Sequence, residues 1–248
     1  IQAKKAIILH QGFGDYALLN YDDPELRRWE KDCKGHVLWY SANHTLANGA
    51  FIKRNDIVIA VDGKNTTIPC VSRIKIPGIH NLQNVLAASC AAYLAGAREQ
   101  HIEKAITTFT GLEHRLEFVR EVNGVRYYND SKATTPESSI AAITAFQAQV
   151  ILIAGGYDKG SNFSEFAGKC AQHTKAAILI GKTAGKIKEL ILEKKGSGET
   201  PSIFMLKTFE EAFKQANALA KAGDVILLSP ACASYDMFLN YEERGRQF

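Results

Sequence analysis

Hydrophobic and polar positions follow a repeating pattern in the second half of the chain. Four short apolar runs, at residues 150–154, 177–180, 203–206 and 225–228, alternate with amphipathic helical stretches. Such alternation is typical of a mostly parallel, doubly wound sheet with helices on both faces. The pattern therefore predicts an α/β fold in which the carboxyl ends of these strands lie on one edge of the sheet.

The first half of the chain has shorter strand patterns. Apolar runs at 36–41 and 57–61, with weaker runs between and after them, predict a meander at the edge of a larger sheet. Residues 110–112, Thr-Gly-Leu, follow a predicted helix and are typical of a linker. We therefore expect two domains, residues 1–111 and residues 112–248.

An alanine-rich helix is predicted from about residue 81 to Gly96 by its apolar period of 3.6 residues. Asn81 and Asn84 are three residues apart and so share a face of that helix. Two amides on one face suit the donors and acceptors of a flat heterocycle. One capping asparagine beside one solvated asparagine fits the same spacing equally well, and the sequence leaves both interpretations open.

The stretch N-D-S-K-A-T-T-P-E at 129–137 lies between a predicted hairpin strand and a predicted helix. Either Thr134 or Thr135 is able to cap that helix, whose free N–H groups attract an anion. Asp130 and Lys132 add a carboxylate and an ammonium within the same few residues. This pattern indicates a site for a hydroxylated, negatively charged ligand. An ordinary helix cap beside a solvated ion pair is the alternative.

Two further strand ends carry unusual residues. G-G-Y-D-K-G at 155–160 places Lys159 beside glycines that allow backbone to approach a ligand, and a capping box is predicted at 162–165. The loop S-P-A-C-A-S-Y-D at 229–236 leads into a helix predicted near Asp236, and its small side chains leave backbone N–H groups free for a carboxylate. Three such loops on one edge predict a pocket for a small dianion.

Composition narrows the classes of function. The 248 residues are 46% hydrophobic and 23% charged, as in globular proteins with one large or two small domains. The net charge of +4 is spread among 26 acidic residues, and no basic block with interleaved aromatics argues for nucleic acid. No apolar run has membrane-spanning length. Five scattered cysteines without a C-x-x-C pair predict buried thiols in a reducing compartment.

Two nucleotide-binding patterns are incomplete. G-K-T at 181–183 follows a predicted strand, but Ala176 stands where a phosphate-binding P-loop requires glycine. The glycines at 155–160 do not form the G-x-G-x-x-G fingerprint of dinucleotide-binding folds either. No histidines and cysteines have zinc-ligand spacing.

Four motifs, taken together and in order, resemble those of the Mur ligases. They are G-L-E-H-R-L-E at 111–117, N-D-S-K-A-T at 129–134, G-G-Y-D-K-G at 155–160 and L-S-P-A-C-A-S-Y-D-M-F at 228–238. The resemblance covers nearly the whole chain, and the last motif is most similar to members that add D-glutamate. It implies the second half of a central ATPase domain followed by a Rossmann-like C-terminal domain that binds the incoming amino acid.

The family's P-loop and UDP-binding domain have no counterpart in this chain, which also does not begin with Met. We therefore expect an N-terminal part to be missing and the chain alone to be inactive.

The resemblance implies ATP and Mg²⁺ as cofactors and a role for particular residues. The residues expected at ATP are Asn81, Asn84, Arg115, Asp130 and Lys132. Those expected at D-glutamate are Thr134, Lys159, Ser234, Tyr235 and Tyr241, with Tyr235 acting through its backbone N–H. Lys4 matches a lysine that the family carries as a Mg²⁺-binding carbamate, although a surface lysine fits that position too. The expected catalytic residues are Lys4, Arg115 and Lys132.

The reaction implied by the resemblance forms an amide bond. The γ-phosphate of ATP activates the terminal carboxylate of UDP-N-acetylmuramoyl-L-alanine as an acyl phosphate, which the amine of D-glutamate attacks. Such a protein serves peptidoglycan precursor synthesis, and with it cell shape and division. It is expected to be cytoplasmic and, at full length, monomeric, with no nucleic-acid or membrane partner. Another Mur or folylpolyglutamate synthase-like ligase, and a non-catalytic binding module of the same fold, remain alternatives.

Overall fold

A computed structural model describes residues 1–195 and 201–248, which form two compact units, Ile1–Phe109 and Thr110–Phe248. Both units have α/β architecture, as the sequence predicts. No helix in the described ranges is long and apolar enough to cross a membrane. All five cysteines are free thiols; four are buried and Cys33 is half-buried.

The first unit is built on a five-stranded sheet. Its strands, in spatial as well as chain order, are β1 (Tyr16–Asn20), β2 (His36–Ser41), β3 (Gly49–Lys53), β4 (Asp56–Val61) and β5 (Lys64–Ile68). Its helices are α1 (Gln2–Leu9), α2 (Pro24–Trp29), α3 (Ile79–Leu94) and α4 (Glu99–Thr108). The first three strands are parallel, and β3, β4 and β5 form the predicted antiparallel meander. Val85 and Leu86 of α3 pack against Ile57 and Ile59 of β4.

The second unit is a doubly wound sheet with helices on both faces. Its strands are β6 (Glu117–Val122), β7 (Val125–Asn129), β8 (Val150–Gly155), β9 (Thr174–Ile180), β10 (Ser202–Met205) and β11 (Val225–Leu228). Its helices are α5 (Pro136–Ile143), α6 (Ser164–His173), α7 (Ala184–Lys195), α8 (Phe209–Leu219) and α9 (Tyr241–Gln247). The spatial order is β10-β9-β8-β11-β7-β6, and only β6 runs antiparallel to its neighbour.

The central strands of this sheet are buried on both faces. Leu152 of β8 packs into the core formed with α5, α6 and α7, whereas Ile151 and Ile153 pack on the opposite side with Phe209 of α8. Adjacent strand residues point to opposite faces, so a strand covered on both sides needs apolar residues throughout. Burial on both faces thus explains the continuous apolar runs in the sequence. The prediction of a doubly wound sheet is confirmed.

The turn at Asn123 and Gly124 joins β6 and β7 as predicted, with positive φ at both residues. The start of α5 is also resolved. Thr135, not Thr134, is its N-cap, and the Thr135 hydroxyl oxygen accepts a hydrogen bond from the Ser138 N–H (3.4 Å).

The α6 helix begins at Ser164, close to the predicted start, but one predicted capping box and one predicted helix start were wrong. No capping box forms at 162–165: Phe163 is the N-cap of α6, and the Asn162 side-chain oxygen accepts instead from the nearby Ser164 N–H (2.9 Å), a local turn that asparagine favours. The last helix does not begin near Asp236 but at α9. Its cap is Asn240, whose side chain accepts from the Glu243 N–H (2.7 Å).

Candidate functional site

The candidate site lies at one edge of the second unit, where the parallel strands β7, β8, β9 and β11 end. Parallel α/β sheets place their ligands at this carboxyl edge. β6 runs the opposite way, and its first residue, Glu117, pairs with Asn129 at the end of β7. Arg115 therefore reaches the same edge from the start of β6, beside the loops that follow the parallel strands.

The loops after β8 and β11 are hydrogen-bonded to each other. The Gly155 N–H donates to the Pro230 carbonyl (2.9 Å), and the Tyr157 N–H donates to the Ala233 carbonyl (2.8 Å). Gly156 has φ of +143°, and a Cβ there would lie 2.4 Å from the Ala233 carbonyl oxygen. At Gly156 the missing side chain therefore admits the neighbouring loop, whereas the sequence suggested the approach of a ligand.

The loop after β9 joins the same assembly. The Thr183 hydroxyl oxygen accepts from the Gly156 N–H (3.0 Å), and the Thr183 N–H donates to the Gly156 carbonyl (3.1 Å). The Asp236 carboxylate accepts from the Lys182 N–H (2.9 Å), which holds Asp236 in a tertiary contact. The G-K-T segment is thus part of the framework of the edge. Sequence reasoning missed Thr183 and Asp236, because nothing in their local pattern indicates a partner so distant in the chain.

Asp130 is buried and 6% exposed, directly after β7. One carboxylate oxygen accepts from the Leu116 N–H (3.0 Å) and the other from the Ser229 hydroxyl (2.8 Å). Burial raises the pKa of Asp130 to about 7, although both hydrogen bonds and the charge of Arg115 favour the ionised form. A solvated ion pair between Asp130 and Lys132, one of the interpretations of the sequence, does not form in the described part of the chain.

Four exposed cations lie along the edge, namely Arg115, Lys132, Lys159 and Lys182. Within residues 1–195 and 201–248, no carboxylate is within ion-pair distance of any of them. Three of the ammonium groups lie over aromatic rings: Lys132 over Tyr241 (5.9 Å), Lys159 over Tyr235 (5.3 Å) and Lys182 over Tyr157 (5.7 Å). Cations without counterions give this edge a positive potential that suits an anionic ligand.

The residues predicted at an amino acid differ in exposure. Ser234 is 2% exposed, and its carbonyl accepts from the N–H groups of Met237 (3.0 Å) and Phe238 (2.9 Å). Tyr235 is 64% exposed, whereas the preceding residues 229–234 are all buried. Thr134 is half-buried, and its N–H donates to the Lys132 carbonyl (2.8 Å). The side chain of Tyr235 thus stands at the surface beside Lys159, on a loop that is otherwise packed.

A buried polar network below these loops was not predicted. His114 is 3% exposed and Asn129 is 3% exposed, and the Asn129 amide nitrogen lies 2.9 Å from Nδ1 of His114 and 3.1 Å from the Gly245 carbonyl oxygen, to which it donates. The Lys132 N–H donates to the His114 carbonyl (3.0 Å). The only sequence signal for His114 and Asn129 was their place in two of the motifs.

The predicted site residues of the first unit have separate surroundings. Asn81 is 7% exposed, and its amide donates to the Pro77 carbonyl (2.7 Å). Asn84 is exposed and lines a cavity of about 370 Å³ between α3 and α4, whose other lining side chains, apart from Ser89, are apolar. The amide of Asn81 is therefore used within the protein, but Asn81 does not cap α3. No hydrogen bond of the Asn84 side chain forms within the described part of the chain.

Lys4 is exposed on α1. The described residues contain no group of three or more histidines, cysteines, aspartates or glutamates that could hold a metal ion. A carbamate on Lys4 would therefore not join a ready-made group of three or more such ligands among these residues.

Two family models match the chain. The Mur ligase middle domain matches residues 1–92, and the glutamate ligase domain of Mur ligases matches residues 114–232. The UDP-N-acetylmuramoylalanine–D-glutamate ligase of Thermoanaerobacter sp. (strain X514) is 49% identical over 99% of this chain and 54% of its own length. The ligase of the same name from Clostridioides difficile (strain 630) is 40% identical over 100% of this chain and 54% of its own. The chain thus spans about half the length of the curated relatives it matches.

Solved structures with a similar fold are more distant in sequence. The MurF ligase of Thermotoga maritima in complex with ADP has a TM-score of 0.63 at 18% identity, over 92% of this chain and 52% of that one. A MurF structure from Acinetobacter baumannii has a TM-score of 0.66 at 14% identity, over 93% and 52%. At such low identities these likenesses establish the fold alone.

Proposed function

The chain belongs to the Mur ligase family, and from this membership we propose that it is the part of an ATP-dependent ligase that completes the ATP site and binds D-glutamate. The full-length enzyme would join D-glutamate to UDP-N-acetylmuramoyl-L-alanine. The observation that carries the proposal is the identity of 49% to a D-glutamate ligase across 99% of this chain. The row of exposed cations on the carboxyl edge supports it, because ATP is a polyanion and D-glutamate carries two carboxylates.

We assign the phosphate side of the site to Arg115 and Lys132. Both are exposed, and they flank the buried Asp130. Their charges would offset the negative charge that develops as the γ-phosphoryl group is transferred. The carboxylate of Asp130 holds the backbone of Leu116, the residue after Arg115, and so keeps this arginine at the edge. Contact of Asp130 with a ribose hydroxyl stays a prediction. Both carboxylate oxygens of Asp130 already accept hydrogen bonds from the protein, so the ribose hydroxyl would have to share one of them.

The adenine ring is assigned to the first unit. The cavity lined by Asn84 has apolar walls for the faces of a flat ring and an amide to hydrogen-bond its edge. Asn81 would support this region indirectly through its hydrogen bond to Pro77.

The amino-acid side is assigned to the loops after β7, β8 and β11. Lys159 offers an exposed ammonium to one carboxylate of D-glutamate, and the hydroxyls of Thr134 and Ser234, with the backbone N–H of Tyr235, would hold the other. Tyr241 supplies the apolar wall beside Lys132. Anchoring both carboxylates leaves the amine as the free end and fixes the direction of its attack, which replaces a bimolecular encounter by an oriented one.

The proposed chemistry has two steps. In the first, the γ-phosphoryl group of ATP is transferred to a carboxylate oxygen of the nucleotide-sugar substrate, which gives an acyl phosphate and releases ADP. The D-glutamate amine then attacks the carbonyl carbon, phosphate departs, and the amine loses a proton as the amide forms. Mg²⁺, when bound, would shield the phosphate charge. We propose a carbamate on Lys4 as the one ligand that this chain would give to it. We further propose a cytoplasmic enzyme of peptidoglycan precursor synthesis that acts as a monomer and serves cell shape and division.

The substrate requirement tests the proposal directly. The full-length protein is expected to release phosphate from ATP only when UDP-N-acetylmuramoyl-L-alanine and D-glutamate are both present. The measurement is phosphate release with each substrate omitted in turn, and with L-glutamate or L-lysine in place of D-glutamate. Equal turnover with either replacement would contradict the D-glutamate assignment, and no turnover with any amino acid would favour a non-catalytic module.

The Lys159→Ala substitution tests the amino-acid side. Removing the ammonium is expected to raise the KM for D-glutamate about tenfold, because a charge-assisted hydrogen bond to a carboxylate is lost, and to leave the KM for ATP unchanged. Steady-state kinetics with each substrate varied in turn measure both constants. Lys214→Ala, at an exposed lysine of α8, is the matched control. A larger rise in the KM for ATP than for D-glutamate would remove Lys159 from the amino-acid side.

A further inference from the structure

Arg244 of α9 is the largest fully buried side chain of the described residues, with 1% exposure. Its Nε donates to the Ser131 hydroxyl oxygen (2.9 Å) and its Nη2 to the Ser131 carbonyl (2.8 Å). Its Nη1 donates to the Cys232 carbonyl (3.2 Å). One guanidinium group therefore links the loop after β7 to the loop after β11.

The charge of Arg244 has no carboxylate partner in the described part of the chain. Burial lowers its pKa to about 10, so the group is still charged at neutral pH. A buried charge held only by neutral oxygens is costly for folding, and a salt bridge or an apolar side chain would be the less costly choice. Such an arrangement calls for a reason other than stability.

The helix that carries Arg244 is seated closely against the same loops. The Ser131 hydroxyl donates to the Tyr241 carbonyl (2.8 Å), and the Gly245 carbonyl accepts from Asn129 (3.1 Å). A Cβ on Gly245 would lie 2.3 Å from Nδ1 of His114, so this position has no room for a side chain. α9 thus keeps Arg244 in a fixed place below the two loops.

We propose that Arg244 is a positioning residue that sets the spacing between Thr134 and Ser234, and thereby the fit of the amino-acid substrate. Thr134 is three residues after Ser131, and Ser234 is two residues after Cys232. The affinity for a ligand held by both loops depends on their separation. A phosphate bound by Arg115 and Lys132 would contact only the loop after β7. This inference rests on the proposed function, since it takes D-glutamate to be the ligand that spans the loops.

Other contacts hold each loop on its own side. The Lys132 N–H donates to the His114 carbonyl, and the Asp130 carboxylate accepts from the Leu116 N–H. The Asp130–Ser229 hydrogen bond joins the loops at their base, at the ends of the strands. Arg244 makes a further link at Ser131 and Cys232, which are closer in the chain to Thr134 and Ser234. Loss of Arg244 should therefore change their spacing without removing the phosphate side.

The experiment compares Arg244→Met, Arg244→Lys and Ser131→Ala with Arg246→Met, a control at an exposed arginine of the same helix. The full-length enzyme is assayed for the KM of D-glutamate and, without amino acid, for trapping of the activated carboxylate by hydroxylamine. Hydroxylamine attacks the acyl phosphate, forms a hydroxamate and releases phosphate, and it needs no carboxylate anchor. Hydrogen exchange of the amides at 131–134 and 232–235 is measured on this 248-residue chain.

We expect Arg244→Met to raise the KM for D-glutamate about tenfold while hydroxamate formation stays within twofold of wild type. Ser131→Ala should act in the same direction and less strongly. Arg244→Lys should resemble Arg244→Met, because one ammonium cannot reproduce three donors held in a plane. Exchange of the loop amides should be faster in the Met variant than in the Arg246→Met control.

Several results would overturn the positioning role. A parallel loss of hydroxamate formation and D-glutamate turnover would mean that Arg244 supports the fold as a whole. Full recovery in Arg244→Lys would mean that only its charge matters. If Arg244→Met fails to fold, Ser131→Ala decides between these outcomes. Wild-type enzyme without D-glutamate turnover would instead refute the proposed function, and the exchange measurement would still test the link between the loops.

Discussion

Replacing Arg115 with alanine is expected to lower the rate of acyl phosphate formation about 10²- to 10³-fold, the usual loss when one group that stabilises transition-state charge is removed. Arg115 is exposed, has no ion-pair partner among the described residues, and lies where β6 begins beside the end of β7. Its guanidinium is thus free for a phosphate. Single-turnover hydroxamate formation in the full-length enzyme measures this step separately from attack by D-glutamate.

Arg120→Ala is the matched control for this prediction. Arg120 is exposed on β6, the strand that Arg115 precedes, and lies over the ring of Tyr127 (6.0 Å). Its removal therefore costs some surface packing and does not change the charge of the edge. We expect its rate to stay within twofold of wild type. If Arg115→Ala forms the hydroxamate at the wild-type rate but fails with D-glutamate, Arg115 belongs to the amino-acid side instead.

The second large effect is a dependence of stability on pH that comes from Asp130. Burial raises the pKa of Asp130 to about 7 in the folded protein, whereas an unfolded aspartate has a pKa of about 3.9. Because the pKa is higher in the folded protein, the protonated Asp130 contributes fully to the unfolding free energy below pH 4. This contribution is lost as pH rises to 7. The loss over this window is about 3 kcal/mol of unfolding free energy.

Asp130→Asn should remove this dependence. An asparagine keeps an oxygen for the Leu116 N–H and an N–H₂ for Ser229, and it carries no charge at any pH. Relative to wild type, the variant should therefore gain stability as pH rises from 4 to 7. Native-state hydrogen exchange of amides in β7 and β11 measures the unfolding free energy of the second unit alone.

Asp158→Asn is the control for the pH experiment. Hydrogen bonds, led by that from Lys186, lower the pKa of Asp158, so this carboxyl group titrates below the window. Its substitution should leave the slope of unfolding free energy between pH 4 and pH 7 unchanged. An equal slope in wild type and Asp130→Asn would mean that Asp130 stays ionised throughout.

The architecture of the second unit was largely readable from sequence. Strands such as β8 and β11 are apolar throughout because they are covered on both faces, and that requirement is visible without any tertiary information. The turn at Asn123 and Gly124 was equally clear, since few residue pairs adopt two successive positive φ angles.

The positions of polar side chains were much less predictable. The sequence suggested Asp130 and Asn81 as residues of an ATP site, and it did not show that both are buried and hydrogen-bonded within the protein. Thr183 and Arg244 had no visible role at all. Their partners, Gly156 and Ser131, are 27 and 113 residues away in the chain, and no local pattern encodes such a contact. Sequence thus indicated which loops form the edge and not which side chains hold them together.

The link between Arg244 and Ser131 also determines when this edge is able to form. A contact across 113 residues cannot be made until the chain has been synthesised as far as α9. On the ribosome, the strands and the helices that cover them can therefore pair before the edge is complete. Closing so long a loop carries an entropic cost that only the assembled sheet offsets, which makes it a late event. The loop after β7 is thus translated well before α9 and reaches its final form only after α9 has been made.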